Sequence, residues 1–207
     1  MIVLYTAREV FEKSTKEEDI GCGGAGNCFL TGVSPWESYT SWSRLFHLKE
    51  LVTLDILLNR RIPELEDWHK REYWDYIVSE NGISTDLFTS LDFVLRMTKR
   101  KEKFNLLAVV KEPTEDCNGV RLDGFGFVGY ELLDPFTGVS ALTNCGGFDE
   151  TFLPTELNPF GLVGGFEKAY DIKRRLLENN PEEPHAATNV YGVWRHRRVG
   201  RWRRYIK

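Results

Sequence analysis

Long apolar runs are missing from this chain. Stretches such as "LVTLDILL" and "FNLLAVV" fall far short of the roughly 20 residues a membrane-crossing helix needs. No basic leader followed by a long apolar segment opens the sequence, so the expectation is a cytoplasmic protein with no membrane partner. Cysteine is scarce as well. Four cysteines in 207 residues suit reduced thiols better than a disulfide scaffold. Four histidines leave few candidates for acid–base work. Internal repeats and low-complexity tracts are also absent, which excludes solenoid and tract-driven architectures.

Aromatic residues are plentiful, with 13 Phe, 8 Tyr and 6 Trp, and disordered chains are poor in these. The length suits one domain over residues 1–207, with a glycine-rich loop at 14–40 and a basic end at 195–207. Charge is distributed unevenly. Residues 195–207 hold seven basic side chains and no acid, so the tail carries +7 and the rest of the chain −11. An acidic body with a basic end can steer partners.

The pattern predicts an α+β fold, a small and mainly antiparallel sheet packed against helices. Strands are expected near 104–112, 125–134, 139–145 and 188–198, with "IVLY" near the start as a further short one. The run "FNLLAVVKE" is almost continuously apolar and ends at Pro113. In "FGFVGYELLD", strict alternation sets Phe125, Phe127, Gly129 and Glu131 on one side and Val128, Tyr130 and Leu132 on the other. Pro135 to Gly138 then turn the chain back into "VSALTNC" as a hairpin. Helices are expected near 65–80, where Asn81-Gly82 supplies a stop, near 85–99 with Ser84 or Thr85 as cap, and near 164–179.

The stretch "DIGCGGAG" (19–26) resembles the first motif of nucleotide-dependent methyltransferases. In that family a buried apolar strand precedes the loop and fixes where glycine backbone meets cofactor. Here "FEKSTKEE" precedes it, so the glycines are read as a turn-rich connector and no cofactor is expected. Cys22 and Cys28 are alternative metal ligands, completed by Cys117 and Cys145, although C-x₅-C departs from the close spacing of structural zinc knuckles.

Two further patterns carry chemistry. In "TNCGG", Cys145 followed by two glycines offers a nucleophile with backbone donors for an oxyanion, and His185 in "EEPHAAT" is its candidate base, oriented by Asn144 or Glu183. At the C-terminal end, Arg197, Arg198, Arg201, Trp202, Arg203 and Arg204 interleave cations with rings, a pattern suited to single-stranded nucleic acid. Against both stands a reading that leans away from an enzyme. It is a protein-binding module of the small inhibitor, immunity or regulatory type, whose acidic body masks a partner protein. Trp36, Trp42, Phe148 and Phe152 are its candidate contacts.

Overall fold

A computed structural model describes residues 1–10, 51–54, 61–67, 70–80, 83–99, 103–136, 138–143, 151–152 and 154–197. Among these residues six strands form one antiparallel sheet: β1 (Leu4–Glu9), β2 (Ile77–Glu80), β3 (Ile83–Phe88), β4 (Phe104–Lys111), β5 (Phe125–Leu133) and β6 (Asn189–His196). Their order across the sheet is β2-β3-β1-β4-β6-β5. Among the described residues two helices accompany them, α1 (Leu91–Thr98) and α2 (Phe166–Asn179). The fold is therefore α+β, as the clustering of strand signals predicts. None of the helices among the described residues is long and apolar enough to cross a membrane.

The centre of the sheet follows from composition. In β4 the first seven residues are all buried, which explains the unbroken apolar run: a central strand covered on both faces has no solvent side for polar alternation. Register places Tyr5, Ala108, Trp194 and Phe127 in one row on one face. Helix α2 covers that face, with Phe166 packed edge-on to Tyr130 at 6.0 Å between ring centres. Its buried residues are Ala169, Ile172 and Leu176, spaced for one helical face. The opposite face carries Thr6, Arg8, Asn105, Tyr191 and Glu131 by the same register. That is an unusually polar set for residues this deeply buried.

Several element expectations are corrected. The described residues of 65–80 form no α-helix. A 3-10 turn at Pro63–Leu65 ends on the first of them, and a second at Arg71–Tyr73 leads into strand β2. Glu80 lies opposite Ile83, so two residues, Asn81 and Gly82, connect β2 to β3. Asn-Gly between paired strands is a hairpin signal, and the sequence reading took it for a helix stop. The expected helix over 85–99 starts only at Leu91. Ser90 caps it by accepting the Phe93 N–H at 3.2 Å, while Leu87 and Phe88 are buried from strand β3. The expected strand over 139–145 is reduced to a single bridge, Leu133 to Ser140, followed by a 3-10 turn at Ala141–Thr143. Asn144 and Cys145 lie outside the described residues. In β5 the alternation breaks at a bulge between Phe127 and Gly129. The slip brings Phe127 and Tyr130 onto the same face, their rings 5.1 Å apart, where unbroken alternation had them opposed.

Two phenols, Tyr73 buried and Tyr170 half-buried, make the fold sensitive to alkali. Tyr73 donates to the Glu64 carbonyl and sits edge-on to Phe93 at 5.0 Å. Burial pushes its hydroxyl up to about 12, with the charges of Asp67, Glu72 and Glu64 adding to the effect. Tyr170 donates to the Pro113 carbonyl at 2.7 Å, and burial beside Glu112 also raises it to about 12. In the unfolded chain both ionise near 10. Their stabilisation is therefore complete below pH ~10 and lost as pH rises toward about 12. The melting temperature is expected to fall across that window, with native tyrosinate absorbance lagging that of denatured chain. A flat melting temperature through the window contradicts this assignment.

Candidate functional site

Among the described residues, the C-terminal end of β5 and the turn after it bring together Glu131, Asp134, Ser140 and His185. Asp134 opens the turn. Its backbone N–H donates to the Val139 carbonyl at 2.9 Å, and its own carbonyl accepts from the Gly138 N–H at 2.9 Å. Gly138 has φ +70, a conformation that costs glycine least. The Asp134 side chain is fixed twice. Oδ1 accepts the Phe136 N–H at 2.8 Å, and Oδ2 lies 2.7 Å from Nδ1 of His185.

His185 comes from a different element, the 3-10 turn Pro184–Ala186 just before β6. Glu183 accepts the His185 backbone N–H at 3.3 Å, so it caps the turn and does not orient the ring. The carboxylate found against the His185 ring is that of Asp134, and Asn144, the other expected partner, lies outside the described residues. The two side chains are 4% and 1% exposed, burial deep enough that an unpaired charge would be costly. With the Asp134 carboxylate against it, Nδ1 is the ring nitrogen placed to donate. A buried acid paired with a histidine is an arrangement that can hold an imidazole in one orientation.

Three residues before Asp134, Glu131 is fully buried. Oε2 accepts the Leu54 N–H at 2.9 Å and Oε1 accepts the Leu132 N–H at 3.0 Å. Ser140 donates its hydroxyl to the same Oε1 in a very short hydrogen bond. Ser140 in turn accepts the Leu142 N–H at 3.1 Å, and its carbonyl accepts the Thr143 hydroxyl at 2.7 Å. The chain leading to Cys145 is therefore anchored as far as Thr143. On the far side of 144–150, the Thr151 carbonyl accepts from Arg175, and its hydroxyl accepts from Asn180 Nδ2 at 3.2 Å. Both flanks of the "TNCGG" segment are thus held by the core.

A second polar cluster lies at the β1–β3 side. Asp86 is fully buried at φ 54. Its Oδ2 is 3.0 Å from Arg61 Nε and 3.9 Å from the Arg8 guanidinium. Arg8 also donates to the Thr6 hydroxyl at 2.6 Å. Arg61 meets Glu66 at 3.7 Å.

The remaining sequence candidates separate clearly. Phe152 is 4% exposed and belongs to the apolar core. That corrects its reading as a partner contact, because a ring packed inside cannot anchor a surface. Trp36, Trp42, Phe148, Cys22, Cys28, Cys145, Arg198, Arg201, Trp202, Arg203 and Arg204 lie outside the described residues. Arg197 is exposed just past the end of β6. Cys117 is buried against Tyr130, whose hydroxyl accepts its N–H at 2.8 Å. Burial pushes the Cys117 thiol up, with the Tyr130 hydroxyl pulling weakly the other way. No group of three or more metal-ligating side chains is assembled among the described residues.

Comparison of the chain with protein-family models, with curated proteins and with solved structures finds no match in any of the three.

Proposed function

We propose that the chain is a cysteine-dependent hydrolase or transferase, with Cys145 as nucleophile, His185 as base and Asp134 as the group that orients it. The Asp134–His185 pair at 2.7 Å carries this reading. His185 Nε2 takes the thiol proton, the thiolate attacks an acyl carbon, and the same imidazolium returns the proton to the leaving group. A thioester forms and is then released to water or to a second acceptor. A cytoplasmic setting, where thiols stay reduced, belongs to the same proposal.

The test is alkylation of each cysteine by iodoacetamide across pH, quantified by mass spectrometry. In the wild-type chain Cys145 is expected to react half-maximally at least about one pH unit below an ordinary thiol near 8.5. His185→Gln and Asp134→Asn should each return it to the ordinary range, while Cys117 stays slow throughout. A wild-type Cys145 with an ordinary profile removes the proposal.

A second reading keeps the acidic binding module of the inhibitor or immunity kind. It is favoured by Trp74 and Phe136, which are 69% and 51% exposed, since aromatic side chains on a surface make efficient partner anchors. An ordinary Cys145 in the alkylation experiment would leave this reading as the better one.

A further inference from the structure

At the end of the sheet where β1 begins and β3 and β4 finish, the surface opens into a cleft of about 600 Å³. That size falls within the roughly 300–1,000 Å³ typical of small-molecule sites. Its walls are mainly aliphatic, supplied by Leu4 of β1, Val78 of β2, Val110 of β4 and Pro113 just beyond. Ile2 also lines it and is 77% exposed. Aliphatic surface left in water favours whatever covers it.

The charged residues of the wall are one base, Lys111, and two acids, Glu112 and Glu115. Glu112 is the most constrained of them. Its backbone sits at φ 44, a conformation that is costly for any residue with a side chain and persists only where the surroundings enforce it. Here β6 enforces it: the Glu112 N–H donates to the Val190 carbonyl at 2.7 Å, and Oε1 accepts the Val190 N–H at 2.6 Å. Lys173 of α2 donates to the same Oε1 at 2.8 Å. The side chain is still 36% exposed, and none of these three contacts uses Oε2. A carboxylate already fixed in place accepts a ligand's donor at little further cost in ordering. Glu115 is exposed nearby. The wall is therefore negative by one charge, in a chain whose first 194 residues carry −11, and a field of that sign draws cations.

We propose that this cleft binds a small amphiphile with an aliphatic body and one ammonium head. The body packs on Leu4, Val78 and Val110, and the head meets the carboxylates of Glu112 and Glu115. The site shares no residue with the Asp134–His185 pair, so it stands independently of the thiol chemistry.

The experiment titrates the full chain, methyl-labelled for NMR, with n-octylammonium and in parallel with n-octanoate, both below micelle formation. Octylammonium is expected to shift the methyls of Ile2, Leu4, Val78 and Val110 saturably. Its Kd should lie roughly three- to thirty-fold below that of octanoate, because each contact with an acid changes sign between the two heads. Glu115→Gln, at an exposed position, should weaken octylammonium binding roughly two- to five-fold and leave octanoate no weaker. Thr89→Trp fills the cleft from an exposed residue that lines it and should abolish both titrations. Absence of saturable shifts at those methyls overturns the site, and so does binding that survives Thr89→Trp in a folded chain. Equal affinity for the two probes overturns the ammonium assignment, and that comparison needs only the wild-type chain.

Discussion

Gly129→Ala is expected to cost about 2–6 kcal/mol, from two effects of about 1–3 kcal/mol each. The first is backbone conformation. Gly129 has φ +135 at the β5 bulge, where an L side chain is strained whatever the space. The second is steric. A Cβ at this position would lie 2.8 Å from the Val163 carbonyl oxygen, 2.8 Å from Asn158 Nδ2 and 2.9 Å from Leu162 Cβ. The Val163 contact is with backbone that is itself pinned, since Tyr130 and Val163 exchange both N–H···O bonds at 2.8 and 2.9 Å. A domain of this size has only about 5–15 kcal/mol of stability in total. Denaturant unfolding of Gly129→Ala should therefore show a much lower midpoint, or no cooperative transition. A loss below about 1 kcal/mol would mean that the bulge relaxes by another route.

The second large effect is at Asp86. Asp86→Asn keeps a side chain that tolerates positive φ and removes only the charge. Arg8, 2% exposed, then loses a buried counter-charge, a change that typically costs about 3–5 kcal/mol. Arg61 suffers less, being 19% exposed and within 3.7 Å of Glu66. The double variant Arg8→Met/Asp86→Asn should recover part of the loss, with a coupling of at least about 1 kcal/mol. Additive losses in urea unfolding would show that the two side chains do not depend on each other.

The two sites show what was legible in the sequence. β4, β5, β6 and α2 announce themselves by local pattern, and each lies within two residues of its expected bounds at either end. The α+β class follows from those four elements alone. What local pattern cannot supply is the partner of a buried group. Asp134 stands before Pro135 and reads as an ordinary turn opener; nothing near it points to a histidine 51 positions away. Glu131 gave the one available hint, an acid inside a strand whose neighbours are all apolar, and acids are almost never fully buried unless paired. The hairpin of β2 and β3 was lost to ambiguity, because Asn-Gly stops a helix as readily as it joins two strands. The bulge in β5 is a further case. Its glycines were visible, but which of them would absorb the slip depends on Val163 pressing from the side.

The order of the strands has a consequence for biosynthesis. β4 and β5 are neighbours in sequence but not in the sheet, since β6 is inserted between them. Of the six strands β6 is the last to be made, and until it arrives one edge of β4 presents the apolar "FNLLAVVK" without its partner. An unpaired apolar edge of that kind is a template for association with other chains. A nascent chain therefore carries its most adhesive edge for the roughly 80 residues of synthesis between β4 and β6, about 4–16 s at ordinary elongation rates. Early release or a stall in that interval would leave that edge open to other chains.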